Sequence, residues 1–416
     1  MRNIYTGIDL GSDNIKIVVA ELIKEKFQVL ASTSVKSVGI RKGLVVDHEM
    51  ALSSLNLAVE EIEKILGTKI DKAIVTVPSN NRNIKVVSGT LFTDGAVNGK
   101  DIVSVLQASC EGQIEDSEEL VSIIPIMFNV GEEKFTKNPI GMTVENLGVK
   151  ALLATAPKKQ IYDYLKVFSD ANIEVVDITF NCIGDYFMCK DKTKDEEIGA
   201  IINIGHDKTD VSIFNKGILI KNNILNLGSR YVDKDITYVY QTDSNTSREL
   251  KEKFALASRR YADINEVLEF ENEEAEKKSI NQYEITELVE ARIIEILKLA
   301  KKEINDLTNR KISYIIVTGG ITELVGFSYV AENILGINTT TLNITTMGIR
   351  SNKYSSAMGI IKYFHDKMKL REKRISLLNE TKIKEIEQGK QSMLDLKEDT
   401  FVSKIFGYFT YNQGGN

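Results

Sequence analysis

Short β-branched runs alternate with amphipathic stretches along most of the 416-residue chain. In the first 20 residues two strand-like segments, the second carrying "IKIVVA", flank a turn centred on Gly11. Asp47 is placed to cap a helix whose apolar positions Leu52, Leu55, Val59, Ile62 and Leu66 follow 3,4,3,4 spacing, and Gly67 is placed to end it. "KAIVTVPS" (72–79) returns to strand. From 83 to about 150 the order changes to strand-like "NIKVVSGTLF", a helix in "DIVSVLQASC" and the strand "LVSIIPIMFNV", which together read as a small α+β insertion. "KALLATAP" (150–157) resumes the parent pattern.

A helix over 158–171, with Ile161, Leu165 and Phe168 inward, leads to the strand "IEVVDITF". The second half then repeats the first in outline, with strands at about 199–204, 209–214 and 218–225. A long helix over 282–308 carries a stripe of Ile285, Leu288, Val289, Ile293, Ile296, Leu297, Ala300, Ile304 and Leu307. "SYIIVTGGITELVGF" reads as strand, Gly-Gly turn and helix. After 365 the chain turns polar and highly charged, which predicts a flexible tether over 366–399.

The repeat extends to one turn. Asp9, Leu10, Gly11 and Asp13 stand where the second half has Asn203, Ile204, Gly205 and Asp207, 194 residues later. A hairpin turn of small residues brings backbone N–H groups close to a phosphate, and an acid at the strand end holds a hydrated divalent metal that screens its charge. One such turn also reads as an ordinary tight hairpin. Two of them with "VTGG" at 317–320 describe a nucleotide held between two halves, the Gly-Gly turn lying against the adenosine.

Composition narrows the partners. With 43% hydrophobic and 27% charged residues the chain reads as globular, and a net charge of −6 argues against nucleic acid, whose binders need a basic surface. Cys110, Cys182 and Cys189 form neither a disulfide framework nor a CxxC metal site, and read as small buried apolar side chains in a reducing, cytoplasmic setting. The N-terminus lacks the apolar run of a signal peptide, and no stretch of 18 uninterrupted apolar residues is present to span a bilayer.

In these turns the chain resembles the superfamily of actin, heat-shock chaperone and sugar-kinase ATPases, and within it the FtsA family of bacterial cell-division proteins. "VGIRKGLVVD" (38–47), "FTKNPIGMTVENLGVKALLATA" (135–156) and "YSSAMGII" (354–361) carry the narrower likeness. The resemblance implies an α/β, duplicated actin-like (ribonuclease H-like) ATPase fold with a small α+β subdomain inserted. Its first domain would be 1–82 and 156–198, the insert 83–155, the second domain 199–229 and 309–365, and a further subdomain 230–308. It implies ATP and Mg2+ as cofactors, with the nucleotide on Asp9, Gly11, Ser12, Asp13, Asn14 and Lys16 from the first turn and Asn203, Gly205, His206, Asp207, Lys208 and Thr209 from the second. Lys251, Gly319 and Gly320 would complete the site, and Asp9 and Asn203 would meet the metal through its waters.

Several positions depart from the family pattern. The second turn usually reads Asp-Ile-Gly-Gly-Gly-Thr, so Asn203 brings no charge to the metal, and two lost glycines put side chains where backbone would approach phosphate. Lys208 can compensate as a point charge, and His206 reads as a solvent-facing turn residue. The expectation is nucleotide binding with weak or absent hydrolysis. In "SRELKEKFALA" Lys251 matches the family lysine, whereas Arg248 stands where an acid is expected.

At the chain end Phe401, Val402, Ile405, Phe406 and Phe409 share one helical face over 400–412, which resembles the family's membrane-targeting helix; packing back on the domain is the other fate of such a stripe. The function this implies is an ATP-binding cell-division protein that polymerises on the cytoplasmic side of the membrane at the division site. It would anchor the tubulin-like protein FtsZ there and recruit later division proteins, with FtsZ contacts expected around 230–300. A type IV pilus assembly adaptor of the PilM kind is the alternative, and a small-molecule kinase of the same fold a more distant one, since the altered second turn disfavours catalysis.

Overall fold

A computed structural model describes residues 2–79, 82–131, 134–272 and 276–394. The first half begins with β1 (Asn3–Leu10), β2 (Asn14–Ile23) and β3 (Lys26–Lys36), an antiparallel meander. A short hairpin, β4 (Ile40–Arg41) with β5 (Leu44–Val45), precedes α1 (His48–Leu66) and β6 (Lys72–Val77). The side chain of Asp47 accepts from the Met50 N–H and Gly67 closes the helix in the left-handed region, as the spacing predicts.

The insertion is β7 (Asn83–Phe92), α2 (Gly99–Cys110), β8 (Glu118–Asn129), β9 (Phe135–Thr136) and β10 (Asn146–Pro157). Its four strands form their own sheet in the order β7-β10-β8-β9, and α2 closes a separate core around Ile102, Val105, Phe128 and Leu153. Then come α3 (Lys158–Asp170), β11 (Glu174–Phe180) and α4 (Asn181–Cys189).

The second half runs β12 (Ile198–Ile204), β13 (Thr209–Asn215), β14 (Ile218–Leu225), α5 (Arg230–Tyr240), α6 (Ser244–Glu249), β15 (Val267–Glu271), β16 (Lys277–Asn281) and α7 (Gln282–Leu307). It continues with β17 (Tyr314–Thr318), α8 (Phe327–Leu335), β18 (Thr339–Thr341) and α9 (Ser355–Leu370). The two main sheets read β3-β2-β1-β6-β11 and β14-β13-β12-β17-β18. In each, three antiparallel strands lead to two parallel ones, so strand order and direction repeat. The α/β, duplicated actin-like architecture with its insertion is therefore the observed fold.

The halves meet where α4 crosses α9. A Cβ on Gly359 would fall on the Gly184 carbonyl, and one on Gly184 would sit 2.7 Å from the Ser356 oxygen. Only two glycines let the backbones come this close. A Cβ on Gly7 of β1 would in turn lie 2.9 Å from a methylene of Ile361, so α9 also lies directly on the first sheet.

Two expectations need correction here. "GGITELVGF" is not strand, turn and continuous helix: a 3-10 turn covers Gly320–Glu323, and α8 starts only at Phe327, after Gly326 with φ 87°. More substantially, 366–394 is not a flexible tether. α9 continues to Leu370, the Leu377 N–H donates to the Ile4 carbonyl at 2.8 Å, and a further helix, α10 (Glu380–Leu394), follows. Leu377, Leu378, Ile383 and Ile386 are buried, and Lys382 pairs with Asp71 at 2.7 Å. Four apolar anchors among many charges suffice to dock this segment on the first domain, and average composition conceals them. The rest of the expected tether, 395–399, and the tail residues Phe401, Val402, Ile405, Phe406 and Phe409 lie outside the described residues.

The helix crossing yields a stability prediction. Alanine at 359 gains about 1 kcal/mol of helix propensity, but its methyl meets backbone that has nowhere to go, a cost of about 1–3 kcal/mol or more. Gly359→Ala is expected to lower the urea midpoint, and an unchanged midpoint would show that the crossing relaxes freely.

Candidate nucleotide site

Both turns open into one cleft of about 590 Å3 between the halves. Asp9, Gly11, Ser12, Asp13, Asn14 and Lys16 line it from one side, and Asn203, Gly205, His206, Asp207 and Lys208 from the other. Lys251, Gly319 and Gly320 join them. Thr209 does not: it is fully buried and its hydroxyl donates to the Leu227 carbonyl at 2.7 Å, so its role is to hold the loop behind the turn.

The first turn is braced from below. Tyr164 donates to the Leu10 carbonyl at 2.6 Å, and Asp9 accepts from Thr76 at 2.8 Å and from Lys16 at 3.0 Å. Gly11 is required by space, since a Cβ there would lie 2.8 Å from the Asn14 carbonyl. The tip of the β4–β5 hairpin spans both turns: the Gly43 N–H donates to Ser12 Oγ and the Lys42 N–H to Asp207 Oδ2, each at 3.0 Å. The segment 38–47, distinctive in sequence but without a role there, thus locks the jaws together.

His206 does not face solvent. It is half-buried in the cleft with Nε2 3.9 Å from Asp13 Oδ1, and burial lowers its pKa despite Asp13, Asp207 and Asp233 nearby. For Asp13, burial opposes the charge, but His206, Arg248 and Lys36 outweigh it and hold the carboxyl below its ordinary range. Arg248 is hydrogen-bonded directly to that carboxylate. Burial pushes the Lys208 ammonium down to about 8 against the attraction of Asp210, Asp9 and Asp207. Lys251 is buried against Asp233 at 2.6 Å.

Sequence reading missed the group beneath the cleft floor. Asp185 of α4, 1% exposed, accepts from Asn203 Nδ2 at 2.6 Å, Ser355 Oγ at 2.6 Å and Ser356 Oγ at 2.8 Å. Burial is the larger effect and lifts its pKa to about 6 even though all three bonds favour the carboxylate. The available signal was an acid inside the otherwise apolar helix "NCIGDYF". This pairing gives a reason for the amide at 203: an acid there would face the Asp185 carboxylate at hydrogen-bond distance.

Because the two hydroxyls spend their hydrogens on Asp185, the oxygens they show the cleft act as acceptors, as does the amide oxygen of Asn203. With Asp9, which Lys16 also engages, these oxygens are of the kind a hydrated Mg2+ meets through its waters. Mg2+ there would screen phosphate charge. Among the described residues no three His, Cys, Asp or Glu side chains converge to bind a metal directly.

Comparison with known proteins follows this geometry. The family model described as cell division protein FtsA matches residues 200–359, and that of the SHS2 domain inserted in FtsA matches 78–155, the insertion. Cell division protein FtsA of Bacillus subtilis (strain 168) is 25% identical over 370 residues, covering 87% of this chain and 83% of that protein. The solved PilM-PilN type IV pilus biogenesis complex aligns over 85% of this chain and 96% of that one, with TM-score 0.59 and 12% identity. MreB5 of Spiroplasma citri bound to ADP aligns over 89% and 99%, with TM-score 0.55 and 11% identity. These structures share the fold.

Asp185 makes stability depend on pH. Its folded pKa of about 6 lies above the ordinary 3.8, so the folded state holds the proton more firmly than the unfolded chain. The stabilisation is complete below pH 4 and is lost as pH rises through 6, by about 3 kcal/mol at most. The fall in urea midpoint between pH 4 and 7 should be shallower in Asp185→Asn than in the parent; equal slopes would assign it elsewhere. Joined by two family-specific matches that between them take in the insertion and the second jaw, the chain belongs to the FtsA family of cell-division proteins.

Proposed function

We propose that this protein is an actin-like cell-division protein that binds ATP with Mg2+ and assembles on the cytoplasmic side of the membrane at the division site. There it anchors FtsZ and recruits later division proteins. The observation that carries the reading is the meeting of both Gly-containing turns, the Gly319-Gly320 turn and Lys251 around one cleft. Asp9, Asn203 and their neighbours would hold the metal through water, and the two turns the phosphates.

Hydrolysis is expected to be weak or absent. His206 and Asp207 fill the second turn, and Asp207 is engaged by Lys42 and Arg230. Nucleotide then serves to set the angle between the halves, which the α4–α9 crossing transmits. The apolar face of Phe401, Val402, Ile405, Phe406 and Phe409 supplies reversible membrane affinity, at about 0.8 kcal/mol per buried CH2 group, and polymerisation multiplies it. The pilus-adaptor alternative rests on the shared fold, whereas both family models point to cell division.

Co-sedimentation with liposomes, with and without ATP and FtsZ, tests this. FtsZ should be retained on the vesicles only with the protein present, and Phe406→Asp with Phe409→Asp should lower membrane binding about tenfold or more. Unchanged liposome binding by that variant would sink the membrane reading, and phosphorylation of a small molecule would overturn the assignment to division.

A further inference from the structure

The ion pairs in the cleft are of two kinds. Lys16–Asp9 at 3.0 Å lies within the first half, and Lys251–Asp233 at 2.6 Å and Arg230–Asp207 at 3.4 Å lie within the second. Asp13 instead reaches across the opening: it stands on the first turn and is held by Arg248, on α6 of the second half, with His206 Nε2 of the second turn 3.9 Å away. Lys36 at 3.4 Å and the amide of Asn14 at 2.6 Å complete its surroundings.

Donors from both halves therefore converge on a single carboxylate in the cleft that both turns line. Carboxylate and phosphate oxygens present the same acceptor geometry to a guanidinium. The Asp13 side chain is 19% exposed, so it has a path out of this position. A phosphate arriving beside it would repel it, while Arg248 exchanges one anion for another at little cost. This also gives a use to Arg248, whose charge is opposite to the one expected from the resemblance.

We propose that Asp13 is a built-in occupant of an anion position between the jaws, and that the terminal phosphate of a nucleoside di- or triphosphate displaces it and takes over Arg248 and His206. The proposal rests on the reading of the cleft as a nucleotide site and adds a competitor within it. Ligand-free protein is closed across the cleft by its own carboxylate, and nucleotide replaces that closure with one of its own.

Titration calorimetry with ADP, inorganic pyrophosphate and adenosine on the full chain tests it. Asp13→Ala should bind ADP and pyrophosphate about fivefold more tightly than the parent, the range expected for relief of one partly exposed ion pair. Adenosine affinity should not change. Arg248→Ala should weaken ADP binding about tenfold, and adding Asp13→Ala to it should give a smaller gain than the same change gives in the parent, because only His206 is left to take the phosphate. Asp13→Asn serves if the alanine variant does not fold. Parent-like ADP affinity in the Asp13 variants, or equal tightening toward adenosine, overturns the proposal while leaving the nucleotide site standing. Failure of the parent and every variant to bind ADP overturns both.

Discussion

Among the described residues the carboxylate of Asp185 accepts hydrogen bonds only from neutral groups, and it ties its own helix to two further elements at once. It rises from α4 of the first half and binds Ser355 and Ser356 at the start of α9 and Asn203 at the end of β12. A buried acid with such partners is costly to ionise, but the same partners fix the relative placement of both sheets and the crossing helices. The Gly184–Gly359 approach lies next to it in both helices, so the polar contact and the backbone contact constrain one another. The cleft inherits its shape from this point.

That constraint also orders the chemistry of the site. Asn203 is an amide because its neighbour is already an acid, and the serines show acceptors to the cleft because their hydrogens point away from it. The positive side chains around the turns are matched by Asp9, Asp207 and Asp233 as well as Asp13. Such a cleft is close to neutral when empty, which lets it keep a defined shape without ligand and favours a nucleotide already partly neutralised by a metal over a bare polyanion.

Much of this was legible in the sequence because local pattern and tertiary role coincide. The caps of α1, the stripe of α7 and the paired turns are periodic or punctuated features that read the same in isolation as in the fold. What was not legible depends on approach between distant segments. Asp185 acquires its meaning from Ser355, Ser356 and Asn203, and the 38–47 hairpin from Ser12 and Asp207, pairings no spacing rule reveals. His206 was misplaced for the same reason: a polar residue in a turn is normally solvated, and here the opposite half covers it. The docked segment around Ile383 and Ile386 was missed because its anchors are few and its charges many.

Docking of α10 has a consequence for reach. A leash of 34 residues, 366–399, would let the body wander as far as about 110 Å from an attached tail. The chain is held against the first domain through Ile386 and Glu387, α10 runs on to Leu394, and only six residues, 395–400, lie between the end of that helix and Phe401. Six residues span no more than about 20 Å even when fully drawn out. A subunit attached through its tail would therefore ride close to the bilayer with its α10 side turned toward it. Neighbours in a filament would then share one orientation with respect to the surface, so that membrane curvature and filament curvature become coupled quantities.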